Sequence, residues 1–163
     1  MSMKDILNVI VVTPAPAGRF LEGIIDGTPK PGTLMTIKAG VEPVNGRHTW
    51  EAYNRGANGN RALIAVLRED ELQGKGVEDA YVSGTRGFLY CPISGDEVLV
   101  RVSAPGTGTS DNYDIGQLFI AVDGTGLLIA TTGSPESEPF QAGETISDVE
   151  AGGTLVMCYY TGH

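Results

Sequence analysis

Basic residues are missing from the last 62 residues of this 163-residue chain, because all 11 lysines and arginines lie at or before Arg101. Up to Arg101 they are set against 12 acids, whereas the remainder carries 8 acids and no base, so nearly all of the net charge of −9 belongs to the second part. A surface of this kind has no basic stripe with which to neutralise phosphates, which argues against nucleic-acid binding. Keeping a concentrated protein soluble is a sufficient reason for the acidity.

Residues that carry chemistry are equally scarce. Nucleophilic catalysis most often takes its base from histidine, and there are two histidines. His163 ends the chain, and His48 follows Asn45-Gly46-Arg47, a turn entering a strand. Cys91 and Cys158 are too few and too far apart for a zinc site or a redox pair. Each lies in an apolar, strand-prone run, where a reduced thiol packs as a small hydrophobe; a disulfide between them is the less favoured reading. The acids Glu69-Asp70-Glu71 and Asp96-Glu97 fall at predicted turns, where solvated carboxylates are ordinary. Asp111-Asn112-Tyr113-Asp114 lacks the ligand order of an EF-hand. Gly106-Thr107-Gly108 and Gly124-Thr125-Gly126 lack the strand-to-helix setting of a phosphate loop. No catalytic residue, metal ligand or cofactor is assigned.

Long apolar runs are absent too. No stretch approaches the ~20 residues of a membrane-spanning helix, so no membrane partner is expected. Lys4, the apolar run at residues 6–12 and Ala15-Pro16-Ala17 faintly imitate a secretory signal. Asp5, Asn8 and the shortness of the run count against cleavage.

What is abundant is turn chemistry. The 23 glycines and 9 prolines make up nearly a fifth of the chain, against about 12% ordinarily, while 41% of residues are hydrophobic. That is enough for one domain with a proper core. The clearest unit is DIGQLFIAVDGTGLLIAT at residues 114–131, two β-prone runs about Asp123-Gly124-Thr125-Gly126, the signature of a hairpin. Strands are also predicted over residues 33–37, 49–53, 88–93, 97–102 and 154–160, with a further strand-sized unit at 79–84. The continuously apolar residues 62–67 read as a strand buried on both faces in preference to the start of a helix, since Gly74 and Gly76 stop a helix early. Residues 105–112 and 133–143 read as polar loops. Eight to ten short antiparallel strands make an all-β domain, a small β-barrel or a β-tulip-like or sandwich arrangement.

Residues 1–20 read as an extended N-terminal arm, held off a single β domain at residues 21–163 by an elbow containing Pro14 and Pro16. An apolar arm is suited to strand addition on a partner's sheet edge, with Ile6, Val9 and Val11 as its anchors. Trp50, Tyr53, Phe88 and Tyr90 lie in predicted strands, as core or subunit contacts before a stacking platform. Trp50 and Tyr53 are the aromatic contacts to test if the chain is instead a carbohydrate- or receptor-binding module. A trimeric β-enzyme such as a nucleotide hydrolase would need a convergent acidic metal site.

The order of short phrases adds a resemblance. Pro31-Gly32-Thr33-Leu34-Met35, then Ala65-Val66-Leu67-Arg68-Glu69-Asp70 through Asp79-Ala80-Tyr81-Val82-Ser83-Gly84, Ser94-Gly95-Asp96-Glu97-Val98, Ile115-Gly116-Gln117-Leu118 and Asp123-Gly124-Thr125-Gly126-Leu127 resemble tailed-bacteriophage head decoration proteins, also called cement or head-stabilisation proteins. The resemblance covers roughly residues 30–160. It implies a structural virion protein, made in the host cytoplasm, that binds the outer capsid surface as a homotrimer and clamps neighbouring capsomers of the major capsid protein without covalent bonds. It implies no catalytic residues.

Overall fold

The computed structural model describes residues 10–13, 19–54, 63–104, 112–122, 124–130, 140–150 and 152–162. The described residues form eleven strands: β1 (Val11–Thr13), β2 (Arg19–Ile25), β3 (Leu34–Ile37), β4 (Thr49–Ala52), β5 (Ala65–Leu67), β6 (Arg86–Cys91), β7 (Glu97–Val102), β8 (Leu118–Ala121), β9 (Leu128–Ala130), β10 (Phe140–Ala142) and β11 (Thr154–Tyr160). The only helical element among them is a 3-10 turn at Glu71–Gln73. The chain is all-β, and the barrel expected from the sequence is present.

Strands β2-β4-β3-β5-β6 close into a five-stranded barrel. Closure leaves no open edge, but it also leaves a narrow interior. Gly23 and Gly87 face each other across the β2–β6 pair. A Cβ on Gly23 would run into the Trp50 ring, and one on Gly87 into Ile25. Gly23 thus makes the room that the largest side chain of the barrel occupies, and Gly87 the room for Ile25. Ile25, Met35, Trp50, Ala65, Leu67 and Leu89 fill this interior, joined by Tyr81.

The remaining strands form a sheet in the order β1-β7-β11-β10-β8-β9, and β9 returns to β7 through the parallel pair Val102 and Leu128. Period-two alternation then assigns each barrel strand two roles. Met35, Ala65, Leu67 and Leu89 point into the barrel, while Leu34, Val66 and Tyr90 belong to a second core with Val98, Val100, Phe119, Phe140 and Val156. Strand β5 is therefore buried on both faces, as its continuous apolar run predicts.

Backbone bonds sew the two sheets together. Arg101 N–H donates to the Gly32 carbonyl at 2.9 Å, Leu34 N–H to Gly126 at 2.8 Å, and Gly124 N–H to Tyr53 at 2.9 Å. The predicted hairpin at residues 114–131 is present as the antiparallel pair β8–β9, and its turn does more than reverse the chain. Gly126 has φ +64°, and a Cβ there would fall against the Leu34 carbonyl oxygen and Thr33. Gly126→Ala is expected to cost about 2–3 kcal/mol, from strain at positive φ and from a turn pushed off the barrel. Urea unfolding reads this directly.

Several expectations are corrected. Two pairings, β2–β4 and β7–β9, are parallel. Residues 79–84 form no strand: Tyr81 is buried while Val82 beside it is 58% exposed, and the segment bonds irregularly to Pro29 and Ile25. Arg19 and Phe20, the first residues of β2, lie where an arm is predicted, and β10 lies where a polar loop is predicted.

The boundary of the arm also moves. Ile10 is fully buried in the second core, its carbonyl accepts Leu99 N–H at 2.7 Å, and its N–H donates to Glu69 Oε2 at 3.1 Å. Val11 pairs with Val98 of the same chain, so its backbone is already engaged and it is not a free anchor for a partner's sheet. Arg19 and Phe20 start the barrel. Ile6, Val9, Pro14 and Pro16 lie outside the described residues. Ile10→Ala is expected to destabilise the domain by about 2–4 kcal/mol, which the same unfolding measurement reports.

Candidate interaction surface

Trp50 and Tyr53, read first as core or subunit contacts and as exposed contacts only under the carbohydrate-binding alternative, are core residues. Trp50 is 2% exposed inside the barrel and Tyr53 is 8% exposed in the second core. Strand placement puts Trp50 opposite Ile25 and Ile37, on the interior side, which position in the sequence does not disclose.

Three of the turn carboxylates, Glu69, Asp70 and Asp96, are also buried. Asp96 is fully buried and accepts from Tyr90 OH at 2.6 Å and Ile93 N–H at 2.9 Å. Glu69, 2% exposed, takes Ile10 N–H on one oxygen and pairs with Arg68 at 3.2 Å on the other. Asp70 accepts from Gln73 N–H at 3.3 Å. These acids are turn and strand anchors. Among the described residues no three His, Cys, Asp or Glu side chains are grouped so as to hold a metal ion, and no helix is long and apolar enough to cross a membrane.

Arg101, the last basic residue, is 3% exposed. Its guanidinium donates to the carbonyls of Pro31 at 2.8 Å, Val77 at 2.6 Å and Gly153 at 3.0 Å and pairs with Glu78 at 3.2 Å. Burial pulls its pKa down and Glu78 opposes the shift. It closes the floor of a polar cleft of about 280 Å³ whose rim holds Lys30, Glu78, Glu150 and Thr154. With its donors turned to main-chain carbonyls, Arg101 is a staple between segments.

Cys91 and Cys158 are free thiols. Desolvation pushes Cys91 up to about 11 and Cys158 well above the ordinary thiol value. Both are expected to resist a thiol reagent at pH 8 in the native protein, because the thiolate is the reactive form. Rapid labelling before unfolding would contradict that.

The surface that stands out lies on the outer side of β2 and β6. Phe20 is 56% exposed, its ring 4.9 Å from that of Tyr90, with the Arg68 guanidinium 5.0 Å above it. Arg68 Nε has no hydrogen-bond partner among the described residues, so this guanidinium is held by Glu69 and the ring. Two residues along each strand, Glu22 lies opposite Phe88, and Arg86 stands 5.3 Å from the Phe88 ring centre. Glu22 binds both Arg86 and Arg47, and the Arg86 hydrogen bond holds its carboxyl below the usual range. Three guanidiniums, those of Arg47, Arg68 and Arg86, thus meet two carboxylates here, in a chain whose net charge is −9.

This face follows from β2, the strand absent from the sequence reading. Its signal was available: in Arg19-Phe20-Leu21-Glu22-Gly23-Ile24-Ile25, Leu21, Gly23 and Ile25 alternate with exposed or half-exposed neighbours.

No family model matches the chain, and a search of curated proteins by sequence returns no match. Among solved structures, the fold is similar to the crystal structure of the head fiber gp8.5 N base in bacteriophage phi29. The likeness spans 88% of this chain and 94% of that one, at a TM-score of 0.52 and 11% sequence identity. At that identity it is a likeness of fold.

Proposed function

We propose that this chain is a structural, non-catalytic component of a bacteriophage virion, seated on the outer capsid surface, where a homotrimer clamps neighbouring major capsid proteins together. The observation that carries this reading is the fold, similar over nearly the whole of both chains to a domain of a phage head fiber. The order of turn phrases between residues 30 and 160 points the same way. Binding only the assembled shell stabilises that shell by mass action, and a trimer touching several capsomers multiplies weak contacts through effective concentration.

The clamp is assigned to residues before Ile10, Ile6 and Val9 among them, because Ile10 and β1 already belong to the domain. Removing residues 2–17 would strip Ile10 from the core, so the clean test removes residues 2–8. That deletion is expected to leave thermal unfolding unchanged and to abolish occupancy of capsids that lack the protein, measured by co-sedimentation. Full occupancy by the shortened chain would refute the arm. A glycan-binding reading loses its proposed residues, since Trp50 and Tyr53 are enclosed.

A further inference from the structure

We infer that copies of this chain associate head to tail, with the Arg–Phe face of β2 and β6 on one copy seated against an acidic ribbon on the other sheet of the next. The ribbon is formed by two segments that pair through Tyr113 and Ile146. Ile115 N–H donates to Thr145 Oγ1 at 3.2 Å, and Asp148 N–H to Asn112 Oδ1 at 3.2 Å. Ile115 projects from it at 66% exposure, with Asp114 and Asp148 exposed on the same ribbon.

The two patches are opposites in charge and alike in plan. Each has one exposed apolar side chain, Phe20 or Ile115: guanidiniums outnumber carboxylates around the first, three to two, and the exposed charges beside the second are the carboxylates Asp114 and Asp148. Arg68 and Arg86 lie over rings, so they are oriented before any partner arrives, and each guanidinium has five donors to distribute. Arginine and aromatic residues are also the types enriched where binding energy concentrates. On the other side, neither Asp114 nor Asp148 has an ion-pair partner among the described residues. The chain after Arg101 supplies no cation to them. Opposite potentials steer the encounter and set its register, with the apolar pair adding affinity.

Because the patches are different surfaces, the contact is heterologous and must either close into a ring or run on as a filament. Closure at three rests on the trimer proposed above; the contact itself does not.

Sedimentation velocity of the full chain over a concentration series is the test. The wild type is expected to form closed trimers that weaken as salt rises from ~0.05 to ~0.5 M, since the screening length shortens severalfold. Phe20→Ser with Arg86→Ser, or Asp114→Lys with Ile115→Ser, is expected to weaken association at least ~30-fold with unchanged thermal unfolding. The equimolar mixture of the two variants is the decisive arm. Each pair then retains one intact contact, so assembly is expected to stop at a heterodimer.

A wild type that stays monomeric overturns the inference, as do trimers that persist in both variants or re-form in the mixture. Loss of capsid occupancy by the Phe20/Arg86 variant with its self-association intact would assign that face to the capsid instead, and also overturns it. Failure of the wild type to occupy capsids, by contrast, removes the virion reading and leaves the contact between copies standing.

Discussion

Arg101→Ala is expected to lower the unfolding free energy by about 3–5 kcal/mol, the range seen when one member of a buried charged network is removed. In a domain of this size that corresponds to a fall of roughly 10 °C in melting temperature. The reason lies in what is left behind. The carbonyls of Pro31, Val77 and Gly153 each accept from this one guanidinium, and each buried acceptor left bare costs about 1–3 kcal/mol. Arg101 also packs where Gly32 brings the chain so close that a Cβ would meet Leu155. Arg101→Lys is expected to recover only part of the loss, because an ammonium cannot reproduce the planar fork that reaches three separate carbonyls. A loss below about 1 kcal/mol for Arg101→Ala would mean that neighbouring segments hold together without the staple.

Asp96→Ala is the second large effect, expected at about 3–4 kcal/mol. The carboxylate sits at zero exposure and holds a tyrosine hydroxyl and a turn amide on one oxygen. The same residue's carbonyl accepts Tyr160 N–H at 2.9 Å, so the 93–96 turn is tied to the end of β11. Removing the side chain takes away the acceptor that the Tyr90 hydroxyl holds at 2.6 Å beside the second core. Replacing Tyr90 by Phe in the same chain removes the donor of that bond, and the double variant is expected to be less destabilised than the sum of the singles by at least ~1 kcal/mol. Strict additivity in urea unfolding would contradict the hydrogen bond.

The sequence reading recovered what is local. β7 and β11 begin and end where β-prone runs meet turn residues, and the two-faced burial of β5 follows from an apolar run with no polar alternation. The hairpin turn is legible because Gly124 and Gly126 signal the positive φ that they adopt. What escaped depends on partners distant in sequence. Gly23 has no legible role until the Trp50 ring is seen in the space it vacates. Glu69 reads as a solvated turn acid until Ile10, 59 positions earlier, is found donating to it. That bond, with the Leu99 contact, also converts the end of the expected arm into core. β10 is three residues long and follows a polar stretch, too short to show a period. The Arg–Phe face was hidden for a combined reason: three arginines scattered between positions 47 and 86 converge only once β2, β6 and their neighbours close the barrel.

The acidity of the second part acquires a place as well. Glu144 anchors the chain there by accepting Met157 N–H at 2.9 Å, whereas Asp114 and Asp148 stand exposed. The domain is polar in the electrical sense, which suits an object built from repeated copies.

The most direct measurement is an image reconstruction of the particle that carries this protein. Density outside the shell, at junctions between capsomers and matching the two packed β units, is expected. A shell with no such density, or with the chain inside it, would contradict the assignment to the outer capsid surface.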